Sequence, residues 1–254
     1  VNVMLASGAE MPDILCGFGL DKKTILQYGK EGTILDLSEY IDNYGYWMKD
    51  VYKNTKVENL DGWLKTADGK RYFMPHIIEQ EGNVYGGKAF INKKWLDKLG
   101  LEVPETLDDF IKVMKAFKTQ DPNGNGKADE IGFTGSKDGW NEKPINFLRN
   151  SFIYDDYANG YVVDDNQKVS LSFTSDKYKE ATKAIAQMVK DGLIDMQCYT
   201  QNSEVLRSIC NSDDNVVGAF ASGSPDSLFL SGSERLGEYV ALPPLKGPDG
   251  TAYA

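Results

Sequence analysis

Leu107, Phe110, Ile111, Met114 and Phe117 recur at helical spacing and run directly into Asp121-Pro122-Asn123-Gly124-Asn125-Gly126-Lys127-Ala128-Asp129-Glu130. A buried helical stripe followed by such a loop fixes the direction of the chain on both sides of it. Short oxygen-bearing side chains at every second position, a glycine at the sixth and carboxylates at the ninth and tenth reproduce the front half of an EF-hand-type calcium loop. A hard cation needs six to eight oxygens, and alternate residues of a tightly wound loop all point at one centre. Asp121, Asn123 and Asn125 would give side-chain oxygens, Lys127 its carbonyl, and Asp129 and Glu130 the closing carboxylates. The twelfth position, where the full motif has a glutamate, is Gly132, so Glu130 takes that part. The same letters also describe a solvated turn.

The flanking sequence alternates strand and helix. Residues 3–7 read as the tail of a helix and 12–19 as a short buried strand ending in a glycine turn. Residues 24–52 are helical in pattern. Asp68-Gly69 is a hairpin turn before an aromatic strand, and 84–91 is strand-like. Lys93 to Gly100 is a short helix with a glycine stop. Thr106 caps the next helix, with Asp109 three residues on as an approximate capping box. Residues 131–134, a polar loop with Trp140, and a helix near 144–152 follow. A long helix over 175–190 buries Tyr178, Ala181, Ile185 and Val189, and strands are expected at 216–220 and 239–242. Strands alternating with helices place the chain in the α/β class.

A chain of 254 residues, 41% of them hydrophobic, suffices for one or two domains with a real core. The net charge of −10, with no basic run, argues against nucleic acid or an anionic membrane as partner. A small neutral or cationic ligand fits better. Three cysteines are too few for a disulfide scaffold, although a Cys198–Cys210 bridge is compatible with the sequence. No apolar run reaches the ~20 residues of a membrane span.

Several segments, in this order, resemble a known family: Pro12-Asp-Ile after Ala6-Ser-Gly8, Asp68-Gly-Lys-Arg-Tyr-Phe-Met-Pro75, Asn92-Lys-Lys-Trp-Leu-Asp-Lys-Leu-Gly-Leu101, Pro104-Glu-Thr-Leu-Asp-Asp-Phe110 and the 121–130 loop. Together they resemble the extracellular solute-binding proteins of ABC importers, the sugar-binding group that includes maltose-binding protein. Within it the chain is similar to the lipoprotein branch of Gram-positive bacteria that carries the calcium loop. The resemblance implies two α/β lobes, truncated at both ends here: residues 1–88 as a partial first lobe, 89–242 as the second, and 243–254 starting the return. It also implies a sugar or oligosaccharide held in an interlobe cleft, an ABC permease as partner, bound Ca2+, a monomeric state, and an extracellular position anchored by lipid to the outer face of the membrane. No catalysis is implied. A glycosidase, which needs two carboxylates facing each other, and a calcium-stabilised surface carbohydrate-binding module are the alternatives.

Sugar recognition calls for flat aromatic faces and a few placed carboxylates or amides. Trp140 lies in a polar stretch with no apolar periodicity to bury it. Trp47 sits beside Tyr46 on a helical segment, and Phe18 and Tyr85 stand at a strand end and at the expected lobe crossing. The lone His76, then Glu79, and Asp226 after Ser222-Gly-Ser-Pro225 complete the expected ligand-binding set. Trp63 and Trp95 are expected in structural roles.

Overall fold

The structure, a computed structural model, describes residues 2–7, 11–16, 19–79, 87–155, 160–164 and 166–253. The chain divides into two units, residues 1–79 and 80–254.

Among the described residues of the first unit, the elements are helices: α1 (Asn2–Ser7), α2 (Lys22–Lys30), α3 (Ser38–Tyr44), α4 (Tyr46–Asn54) and α5 (Leu60–Leu64). Asp21 caps α2 by accepting from the Thr24 N–H at 2.7 Å, the residue type such a position favours. Leu5, Ile25, Ile41, Leu60, Leu64 and Tyr72 are buried. Arg71 joins the helices to the chain after them: its Nε donates to Asp61 Oδ1 at 2.7 Å, and its carbonyl accepts from the Leu37 N–H. The strand expected at 12–19 is not formed over residues 11–16, and Ile14 is 81% exposed. An isolated strand leaves its N–H and C=O groups unpaired, and the described residues of this unit offer it no ladder. The Asp68-Gly69 turn is present, with Gly69 at φ +80° and Thr66 N–H donating to Lys70 O at 2.9 Å, but no paired strands extend from it.

The second unit is α/β. Strands β1 (Ala89–Asn92), β2 (Ile131–Thr134), β5 (Val217–Ala221) and β6 (Tyr239–Ala241) form one sheet in the order β2-β5-β1-β6, with β2 and β5 parallel. A separate hairpin pairs β3 (Tyr161–Val163) with β4 (Val169–Leu171). Parallel neighbours require a crossover, and the chain between β2 and β5 supplies α8 (Pro144–Arg149), α9 (Asp176–Lys190) and α10 (Ser203–Cys210). β1 and β5 are buried on both faces, which is why they read as continuous apolar runs without alternation.

One face of the sheet carries the larger core. Ile91, Phe133 and Ala219 meet Trp95 and Leu96 of α6 (Lys93–Leu99), Phe110, Met114 and Phe117 of α7 (Leu107–Thr119), Leu148 of α8 and Ile185 of α9. The opposite face packs Phe90, Phe220 and Tyr239 against Leu206 and Cys210 of α10. The α7 stripe is as expected, with Val113 buried and Ile111 half-buried. Thr106 and Asp109 form the expected cap, Asp109 N–H donating to Thr106 Oγ1 at 3.1 Å. In α9, Met188 is buried, whereas Tyr178 and Val189 are half-buried; the Arg149 guanidinium covers the Tyr178 ring at 4.4 Å.

Residues 243–253 stay in the second unit. Leu245 is buried in its core, Lys246 O accepts from the Leu107 N–H at 2.9 Å, and Tyr253 N–H donates to Asn150 O. Cys198 and Cys210 are both free and buried, so the compatible disulfide is not made. Trp95 is buried as expected, but Trp63 is exposed, with the Lys22 ammonium 5.4 Å from its ring centroid.

Candidate functional site

In open α/β sheets, ligands bind beyond the carboxyl ends of the strands. In the second unit three segments gather at that edge: the loop after β2, the loop after β5, and Lys88, which precedes the antiparallel β1. The β2 loop closes on Glu142, a carboxylate only 1% exposed. Its Oε2 accepts from Ser136 Oγ at 2.6 Å and its Oε1 from Ser203 Oγ at 3.0 Å. The Gly139 N–H donates to Ser136 Oγ at 2.9 Å, and the Ser203 N–H to Asp138 Oδ1 at 3.0 Å, so the loop is tied to the start of α10. Hydrogen bonds that satisfy a buried carboxylate this fully hold the loop in one conformation.

Trp140 stands on this loop with its side chain 53% exposed. Gly223 donates its N–H to Trp140 O at 2.8 Å, and Lys88 Nζ donates to Gly223 O at 3.0 Å. The same ammonium lies 5.8 Å from the indole centroid, a cation–π distance. Asp226 is exposed on the β5 loop, in the turn Pro225–Ser227, where Ser224 Oγ donates to its carboxylate. Trp140 and Asp226 thus occur on adjoining loops, on an edge whose backbone is fixed.

The remaining expected residues lie elsewhere. Trp47 is on α4, 75% exposed and edge-on to Tyr46 with ring centroids 5.1 Å apart. His76 is exposed on an irregular segment. Glu79 accepts from Thr55 Oγ1 at 2.7 Å and the Lys56 N–H at 2.9 Å, which hold its carboxyl below the usual range. It lines a groove of about 460 Å3 in the first unit with Met48, Val51, Asn54, Thr55 and Pro75. Phe18 and Tyr85 lie outside the described residues. Lys88, Gly223 and Glu142 carried no signal in the sequence: a lysine, a turn glycine and a surface-type acid each had an ordinary reading.

The 121–130 loop is wound as its sequence requires. Asp121 accepts from the Gly124 and Gly126 N–H groups at 2.9 and 3.1 Å, Asn123 Oδ1 from Asn125 N–H, and Asn125 Oδ1 from Lys127 N–H. Gly124 and Gly126 take φ +77° and +74°, a region that favours glycine. The amides of Asn123 and Asn125 both donate to Asp129. Glu130 Oε1 is buried without a hydrogen-bond partner, and burial pushes its carboxyl above the usual range, with the Asp121 and Asp129 charges adding to the effect. No group of three or more His, Cys, Asp or Glu side chains placed to hold a metal occurs among the described residues. The oxygens here instead mix carboxylates, amides and a carbonyl. An unpartnered buried carboxylate oxygen beside other acidic groups fits a hard cation.

The chain thus combines two units, an α/β sheet in the second with an exposed indole on the loop after β2, and a glycine-containing acidic loop. The profile of the family "Bacterial extracellular solute-binding protein" matches residues 1–252, and the chain belongs to that family. It is 34% identical, over 99% of its length, to the fructooligosaccharide ABC transporter substrate-binding protein FusA of Streptococcus pneumoniae serotype 4, and covers 46% of that protein. The solved FusA complex with kestose superposes with a TM-score of 0.79 at 31% identity, over 100% of this chain and 50% of that one. A FusA EF-hand mutant with fructo-nystose gives 0.80 at the same identity and coverage. Lipoprotein LipO of Bacillus subtilis is 32% identical over 80% of the chain and 37% of its own length. The chain thus spans about half the length of these relatives or less. Among the described residues no helix is long and apolar enough to cross a membrane.

Proposed function

We propose that this chain captures an oligosaccharide outside the cell for import by an ABC-type permease, with the edge formed by Trp140, Lys88 and the β5 loop as one face of the binding site. The observation that carries the reading is Trp140: a half-exposed indole on a loop fixed by a buried carboxylate, at the strand ends where such sheets bind ligands. An indole removes the C–H face of a sugar from water while leaving its hydroxyls to carboxylates and amides such as Asp226. The two units correspond to the two lobes of the family. Phe18, Trp47, His76, Glu79 and Tyr85 complete the proposed ligand-binding set. Kestose is the first ligand to try, because FusA binds it.

The 121–130 loop holds Ca2+ in a structural role, through Asp121, Asn123, Asn125, the Lys127 carbonyl, Asp129 and Glu130. Its place between α7 and β2 leaves no ligand over for a reacting group, and the unpartnered Glu130 oxygen supports a cation there. The protein works as a monomer, is held by lipid to the outer face of the cell membrane as the kinship with the lipoprotein LipO supports, and binds without turnover. Titration with kestose, followed by chromatography of the incubated sugar, tests the whole reading. Binding with the sugar intact supports it, whereas a cleaved product points to a glycosidase and sinks it.

A further inference from the structure

We infer that Gly223 is a positioning residue for the Trp140 indole, and that ligand affinity at this edge depends on position 223 having no side chain. A methyl group there would lie 2.4 Å from the indole Cδ2 and 2.6 Å from Cε2 and Cε3. The first distance is roughly 1 Å short of the ~3.5 Å at which two carbons pack best. The main chain at 223 therefore lies against the ring junction as only a glycine permits.

The backbone conformation does not itself require glycine, because Gly223 is not among the residues with positive φ. What requires it is the ring. The polar groups of Gly223 work to the same end. Its N–H is bonded to the carbonyl of Trp140, and its carbonyl to the Lys88 ammonium that faces the indole. Contact and cation thus converge on one half-exposed ring, the hydrogen bond holds the main chain that carries it, and a stacking platform needs such support to keep its angle. Alanine at 223 pushes the ring toward solvent, the side on which it is free to move, and so spares the core.

The inference rests on the reading of Trp140 as ligand-facing, and the test separates the two. Gly223→Ala, Lys88→Met and Trp140→Ala are titrated with kestose, and the indole N–H signals of each protein are recorded by NMR. The Trp140 signal is the one that vanishes in Trp140→Ala. Gly223→Ala should weaken kestose binding about tenfold, equivalent to one decade in Kd, and move the Trp140 signal while the other indole signals and the melting temperature hold. Lys88→Met should move the same signal.

An unmoved Trp140 signal in Gly223→Ala overturns the inference whatever the affinity does. Kestose affinity within about twofold of the parent in Gly223→Ala, alongside a clear loss in Trp140→Ala, overturns it and leaves the role of Trp140 intact. Unchanged affinity in Trp140→Ala overturns the ligand role of Trp140 and the affinity half of the inference with it. Should Gly223→Ala fail to fold, Lys88→Met decides, and an unmoved signal there overturns the inference.

Discussion

A side chain on Gly132 would bring its Cβ within 2.5 Å of the Leu193 carbonyl oxygen, so the twelfth position of the calcium-type loop has no room for the glutamate a complete EF-hand places there. Gly132 lies in β2, where the next residue, Phe133, also bonds through its N–H to Leu193 O. In the proposed calcium site the closing carboxylate would therefore come before the strand, and Glu130 is the residue that precedes it.

Asp121→Ala and Glu130→Ala should each lower the melting temperature measured with calcium present. A chelator should lower that of the parent, since a cation at 1,000 times its dissociation constant adds about 4 kcal/mol. Metal analysis of the purified protein is expected to find calcium. A melting curve indifferent to chelator, on protein free of calcium, would refute the assignment.

Trp140→Ala should weaken kestose binding by one to two orders of magnitude, about 1.4 to 2.8 kcal/mol, with little change in unfolding midpoint. Phe133→Ala should behave oppositely. That ring is fully buried and packs edge-on to Phe110 at 5.3 Å and Phe147 at 6.0 Å, so its loss should cost roughly 3–5 kcal/mol in urea unfolding. If Trp140→Ala destabilises as Phe133→Ala does and spares affinity, the tryptophan is a core residue.

Acid should loosen the first unit through Asp61. Burial pushes this carboxyl up, but hydrogen bonds and charge from Lys65 and Arg71 outweigh it and hold it below its ordinary 3.8. A depressed carboxyl contributes stability that is present above the unfolded value and lost as pH falls through the folded one. The loss therefore sets in below about pH 4. Asp61→Asn should cost on the order of 1–2 kcal/mol at pH 7, reduced from a fully buried pair because Asp61 is partly exposed, and should flatten that acid limb. Identical pH profiles for parent and variant in thermal melts would dismiss the pair as a contributor.

The cysteines should separate by exposure. Cys16 is exposed, whereas burial pushes the Cys198 and Cys210 thiols up to about 12, leaving almost no reactive thiolate at neutral pH. Iodoacetamide on native protein should label Cys16 alone by mass spectrometry, and all three only after denaturation. Labelling of Cys198 or Cys210 in the native state would contradict their burial.

Where local rules decide structure, the sequence was sufficient. The α7 stripe from Leu107 to Phe117, the Thr106 cap, the glycine stop at Gly100 and the winding of the 121–130 loop all follow from spacing and from residue-specific backbone preferences. These act over a few residues and need no distant partner. Elsewhere a partner was needed. Residues 11–16 look like a strand, but a strand exists only with a ladder beside it, and Ile14 is exposed in its absence. Residues 243–253 stay with the second unit because Lys246 finds the Leu107 N–H and Leu245 finds the core. The exposure of Trp140 was legible in its polar neighbours, but its support was not. Lys88 and Gly223 stand far from it in the chain and meet it only because β1 and β5 pair and β5 lies beside β2. Hydrogen-bonded strand register, a property of the folded sheet, carries them to one edge.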